Sequence, residues 1–139
     1  QEYDVIFLDA FSGDSVPAHL LTREAFEIYK KHLRKDADGK ITGFIVLNIT
    51  NSYLNLYPVV KNAAEKVMNM KYTSIYRNRN HKEFAMRTHY FIMSNDDDYL
   101  AKHPKVTRIK DGKEVDFDWP GIPLWTDNYS NLFKILIVD

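Results

Sequence analysis

The chain has 139 residues, no cysteine, and nineteen acidic against nineteen basic side chains. That balance excludes disulfide scaffolds and thiolate chemistry, and leaves no charge excess to draw the chain to nucleic acid or an acidic membrane. The length suits one domain, residues 1–139, and no apolar run approaches the roughly 20 residues of a membrane span.

No signal peptide is visible, and the lack of cysteine fits a reducing, cytoplasmic setting. The chain opens without Met, almost directly in an apolar run, and closes on another (Ile135 to Val138), so it reads as a piece of something longer.

In chain order, Val5-Ile6-Phe7-Leu8 is a continuous apolar run rich in β-formers, which predicts a strand covered on both faces, as in a parallel sheet. Thr22 predicts a helix cap, followed by Ala25, Phe26, Ile28, Tyr29 and Leu33 at helical spacing. Lys30, Lys31, Arg34 and Lys35 are its solvated face. Lys35 to Lys40 holds Asp38-Gly39 and predicts a turn. Phe44 to Leu47 predicts a second buried strand, ending at Asn48. A polar stretch, Thr50 to Tyr53, leads to a helix of about three turns with Pro58 in its first turn. Tyr72 to Tyr76 predicts a third strand and Glu83 to Met93 a fourth, paired antiparallel through a short link. Asn95 to Asp98 suits a helix N-terminus. Lys110-Asp111-Gly112-Lys113 suits a hairpin turn, and Asp127 to Leu136 predicts a last helix.

The order strand, helix, strand, helix, strand, strand predicts an α/β three-layer architecture. The sheet is expected to be mostly parallel, with right-handed crossovers and one antiparallel strand at its far end.

Three stretches carry a resemblance. "YDVIFLDAF" followed by "VPAHLLTREAFEIY", "IVLNITNSYLNLYPVV" and "PLWTDNYSNLFKIL" together resemble the spermidine synthase-like family of aminopropyltransferases. The resemblance covers nearly the whole chain and only the C-terminal half of that family's catalytic domain. It implies a Rossmann-like sandwich, the second half of a class I S-adenosylmethionine-dependent methyltransferase fold. It also implies a co-substrate that is not tightly bound: decarboxylated S-adenosylmethionine for aminopropyl transfer to a polyamine, or S-adenosylmethionine for methyl transfer. A second class of function stays open beside the resemblance: a non-catalytic module that binds a nucleoside or polyamine for an attached membrane or partner domain. The five glycines never form G-x-G, so the usual cradle for the nucleoside, expected in the N-terminal half, is not in this chain.

Ligands in open α/β sheets bind beyond the carboxyl ends of the strands, and Asp9 stands at such an end. A protonated amine cannot attack a sulfonium carbon, so one carboxylate to hold the cation and another to take its proton make chemical sense. The resemblance puts Asp9 and Asp14 in those catalytic roles, with Asp9 and Ala10 also on the co-substrate side. It implies Ser12, Tyr53, Tyr76, Asp127 and Tyr129 as substrate-binding. The family's second acid stands three residues after the first. Here that position is Ser12, and the acid comes at Asp14. Each residue also has an ordinary use: Asp9 and Asp14 as turn caps, the tyrosines as packing, Asp127 as a helix cap.

No His spacing suits zinc, Asp96-Asp97-Asp98 lacks the rest of an EF-hand loop, and no nucleophile elbow is present. No metal is expected. The expected partners are a small amine substrate and, through the Val5 to Leu8 strand left as a sheet edge, a second copy of the chain.

Overall fold

A computed structural model describes residues 1–11, 16–78, 86–105, 108–110 and 113–137. The protein is α/β, built on a four-stranded mixed sheet with a separate two-stranded hairpin.

The first strand, β1 (Val5–Leu8), lies where the apolar run predicts it. Helix α1 (Arg23–His32) begins at Thr22, whose side chain accepts from the Ala25 N–H at 3.3 Å. A short 3₁₀ turn, Ala18–Leu21, leads into it. After α1 the Asp36 carboxylate accepts from the N–H groups of Asp38 and Lys40, and Gly39 supplies the positive φ of 80° that the turn needs.

Strand β2 (Phe44–Asn48) pairs in parallel with β1, Val5 opposite Phe44 and Leu8 opposite Leu47. Helix α2 (Tyr57–Ala63) carries Pro58 in its first turn and runs on into a π turn, Ala64–Met68. Asn69 in the left-handed region, φ 50°, ends it. Strands β3 (Tyr72–Arg77) and β4 (Thr88–Met93) pair antiparallel. Helix α3 (Asp97–Lys102) is capped by Asp96, and β5 (Arg108–Lys110) pairs with β6 (Lys113–Val115). Residues 83–85 of the expected fourth strand lie outside the described residues.

Three expectations need correction. The sheet is not mostly parallel. Its order is β1-β2-β4-β3, and two of its three ladders, β2–β4 and β4–β3, are antiparallel. The reversed strand is also not at the far end. It lies between β2 and β3, because the central slot buries both faces of a strand. Phe91, Ile92 and Met93 of β4 are all buried and suit that slot, whereas β3 has Tyr72 and Ile75 only half-buried and ends in the exposed Arg77, as suits an edge.

Second, β1 is not covered on both faces. It is an edge strand, with Val5 and Phe7 each 53% exposed.

Third, no helix spans Asp127 to Leu136. Thr126 and Tyr129 exchange two backbone hydrogen bonds that reverse the chain, and only a 3₁₀ turn, Leu132–Ile135, follows. That turn is capped by Asn131.

In the register of the sheet, Ile6, Leu8, Ile45, Leu47, Phe91 and Met93 share one face. Helices α1 and α2 pack on it. Phe26 and Leu33 of the α1 region and Val60 and Ala63 of α2 are fully buried in the same core, and the Tyr57 ring meets Phe91 edge-on at 5.3 Å. The Lys30 ammonium ties α1 to the π turn by donating to the Val67 carbonyl at 2.9 Å. Helix α3 lies on the other face, where Phe44 meets Tyr99 at 5.3 Å and the Thr73 hydroxyl donates to the His103 carbonyl at 2.8 Å.

Phe91, fully buried at the centre of the sheet, should be among the costliest truncations. Phe91→Ala should destabilise by about 3–5 kcal/mol, whereas Ile28→Ala, on the exposed side of α1, should stay within about 0.5 kcal/mol. Urea unfolding of the two variants tests this placement of the core.

Candidate functional site

The parallel register of β1 and β2 carries one step beyond the strands. Leu8 lies opposite Leu47, so Asp9 and Asn48 follow as neighbours on the same face. The Asn48 amide donates to Asp9 Oδ1 at 2.8 Å. Its own oxygen accepts from the Thr50 hydroxyl at 2.6 Å and the Thr50 N–H at 3.2 Å. Two donors on the oxygen leave the NH₂ group to face Asp9, so the carboxylate is oriented from behind. Thr50 is held in turn, its hydroxyl accepting from the His89 N–H at 2.8 Å.

The loops are tied together around this pair. Asn51 donates to the Phe11 carbonyl at 2.8 Å, joining the loop after β2 to the loop after β1. Arg87, just before β4, donates to the Asn51 carbonyl at 2.9 Å and to the Ser52 hydroxyl at 3.1 Å. Asp9 is itself exposed, as is Ala10 beside it. The site is therefore a carboxylate open to solvent on a braced platform at the carboxyl ends of two parallel strands.

Sequence reading did not pick out Asn48, Thr50, Asn51 or Arg87. The usable signal was the parallel pairing: once β1 and β2 are neighbours, the residue ending β2 must stand beside the one ending β1.

The other expected residues are placed as follows. Ser12 and Asp14 lie outside the described residues. Tyr53 is in the loop after β2 and is 64% exposed. Tyr76 is buried, its hydroxyl donating to Asn78 at 3.1 Å and its ring meeting His89 and Phe117, each at 5.3 Å.

Asp127 is placed at the start of α1. Its Oδ1 accepts from the Thr22 hydroxyl at 2.7 Å, and its N–H donates to Glu24 at 2.9 Å. Asp127 lines an open groove of about 540 Å³ with His19, Glu24, Ile28 and Tyr29, a lining that does not include Asp9. Tyr129 closes the adjacent turn with Thr126 and is partly exposed. The structure thus brings Asp9 together with Asn48, and places Asp127 with the α1 cap.

Behind the platform sits His89, 6% exposed. It is stacked parallel to Tyr57 at 6.1 Å and tilted against Phe117 at 4.5 Å. Burial, helped by the charges of Lys105 and Arg87, pulls its pKa down to about 4. The imidazole is therefore neutral near pH 7 and supports the platform through its main chain. Among the described residues no group of three or more His, Asp or Glu side chains gathers to hold a metal ion, and no helix is long and apolar enough to cross a membrane.

No protein-family model matches the chain, and no curated protein matches it. Fold and site define a class by themselves: an α/β protein with a braced, solvent-facing carboxylate at the carboxyl ends of parallel strands.

His89 makes stability pH-dependent. Below its ordinary value of 6.5 the unfolded chain takes up a proton that the native imidazole refuses until about pH 4. Stability should therefore be full above pH 6.5 and fall by about 3 kcal/mol on acidification to pH 4. Urea unfolding across that range should show the slope, and His89→Gln should flatten it.

Proposed function

We propose that the chain forms the C-terminal half of a Rossmann-like, class I methyltransferase-type catalytic domain of spermidine synthase-like kind. On this reading it moves an aminopropyl group from decarboxylated S-adenosylmethionine to a polyamine in the cytoplasm. The observation that carries the proposal is the Asp9 carboxylate, held by Asn48 at the carboxyl end of β1. The strand order supports the finer fold reading: two strands joined through α1 run parallel, and β4 reverses between β2 and β3. The lack of a G-x-G turn means that residues outside this chain would hold most of the nucleoside, leaving Asp9 to serve the acceptor.

The chemistry follows from charge. Asp9 attracts the ammonium form of the acceptor and takes one proton from its nitrogen. The freed lone pair forms the new N–C bond at the carbon next to sulfur. The C–S bond breaks with its electrons going to sulfur, which turns the cationic sulfonium into a neutral thioether. The leaving group needs no proton, so one acceptor carboxylate suffices for the step. The Asn48–Thr50–His89 chain keeps that carboxylate aimed, so no reorientation is needed as the amine arrives.

Methyl transfer from S-adenosylmethionine is the second reading. The departure that favours it is the acid at Asp14, five residues after Asp9, with Ser12 at the position of the resembling family's acid.

In the protein that carries this chain, Asp9→Asn should keep the fold and lose about 10²–10⁴-fold in turnover, the usual worth of a positioned proton acceptor. Asn48→Ala should lose about 10- to 100-fold through misalignment. Mass spectrometry of the product separates the two chemistries: an added aminopropyl group from the decarboxylated donor, or a methyl group from S-adenosylmethionine. Unchanged turnover in Asp9→Asn would return Asp9 to loop capping.

A further inference from the structure

His89 carries a buried nitrogen that the protein itself does not satisfy. The residue is almost fully buried, and its Nε2 has no hydrogen-bond partner among the described residues. A buried polar atom left dry is costly, and in native proteins such atoms ordinarily find a partner, whether protein or ordered water. Beside His89 lies a cavity of about 20 Å³, bounded by Leu54, Asn55, Tyr76, Arg87 and Phe117 together with the imidazole. None of its lining belongs to β1 or to the residues before it. Its size decides what can enter: a water needs roughly 10–15 Å³ of such space, so one water fits and an organic ligand does not.

We propose that this cavity is a built site for a single water molecule, held by His89 Nε2, the Asn55 amide, the Tyr76 hydroxyl and the Arg87 guanidinium. The lining supplies both kinds of partner that a buried water needs. Asn55 has two amide hydrogens and spends one on the Phe117 carbonyl. Arg87 has five N–H donors, and one of its nitrogens serves Asn51 and Ser52. These two donors fill the lone pairs of the water oxygen, so its own hydrogens go to acceptors. The Tyr76 oxygen gives its hydrogen to Asn78 and keeps its lone pairs. His89 Nε2 is the second acceptor, because burial keeps the imidazole neutral near pH 7. The arrangement therefore sets the tautomer, with the proton on Nδ1 and a bare Nε2.

Such a water joins the loop after β2, through Asn55, to β3 through Tyr76 and to β4 through His89. The residues it holds are the ones that brace the platform. The His89 N–H donates to the Thr50 hydroxyl, and Arg87 donates to the Asn51 carbonyl. The water thus fixes, from behind, both supports of the loop that carries Asn48 to Asp9. The tilted contact of His89 with Phe117 and its edge-on contact with Tyr76 leave the ring no room to turn Nε2 elsewhere.

A high-resolution crystal structure of the protein should show one ordered water roughly 2.7–3.2 Å from His89 Nε2, within reach of at least two of the other three groups. Nuclear magnetic resonance of the protein with isotope-labelled histidine at pH 7 should find His89 protonated on Nδ1 and bare on Nε2. Tyr76→Phe keeps the ring and removes the second acceptor. It should shift the His89 Nε2 resonance, although the hydroxyl itself bonds Asn78 and not His89. None of these readings involves turnover, so they succeed or fail apart from the proposed chemistry. Three results would each overturn the site: an ordered His89 with no water at Nε2, a proton on Nε2, or a His89 resonance unmoved in Tyr76→Phe.

Discussion

The β2–β4 ladder is the contact on which core and site both depend. It sets Ile45 opposite Met93 and Leu47 opposite Phe91, the pairs at the centre of the buried face. It does not stop where β2 stops. The Ile49 N–H donates to the His89 carbonyl at 2.8 Å, and the Thr50 hydroxyl accepts from the His89 N–H. The same run of hydrogen bonds that packs the sheet therefore continues into the loop that holds Asn48 against Asp9. A loop would ordinarily be softer than the strands it joins. Here its first residues are an extension of the ladder, which suits a site that must hold a charged group in one orientation.

Around the far end of this ladder the chain buries polarity and satisfies it locally. Asn55, 4% exposed, donates to the Phe117 carbonyl at 2.8 Å, accepts from the Tyr57 N–H, and donates its own N–H to the Ile135 carbonyl at 2.7 Å. Asn62 donates to the Ile122 carbonyl at 2.6 Å, and Lys61 is paired with Asp118. The C-terminal third is thus stitched to α2 by side chains that use up its carbonyl groups. This fits its irregular path: backbone groups must find partners, and here two carbonyls find them in Asn side chains rather than in a helix of their own. Trp125 is fully buried in the same region, and its carbonyl accepts from the Arg23 N–H at 2.7 Å at the head of α1.

The α1 cap shows how one local signal can serve a distant contact. Thr22 accepts from the Ala25 N–H, as its position before an amphipathic run predicts, and its hydroxyl also donates to Asp127. Glu24, held ionised mainly by a backbone hydrogen bond at its own position, accepts from the Asp127 N–H as well. An aspartate that reads as the cap of a last helix is instead spent on the cap of the first long one. Residue type and helix-capping chemistry were legible; the helix that received them was not.

The sequence by itself determined what lies within a few residues' reach. Apolar runs made β1, β2 and β4, Thr22 and Asp96 started helices, Gly39 made a turn, and Asp9 was set at a strand end. These depend on periodicity, capping and φ preference, all local properties. Tertiary structure alone decided that β4 would enter between β2 and β3, that β1 would be left with Val5 and Phe7 in solvent, and that Asp127 would join Thr22. It also decided that Asp9 would be braced by Asn48, thirty-nine positions away. A strand's pattern says that it needs partners but not which strands they are, because every ladder offers the same N–H and C=O groups. The choice is made by which arrangement buries the most apolar strand at the centre, and that can be compared only once all four strands are present.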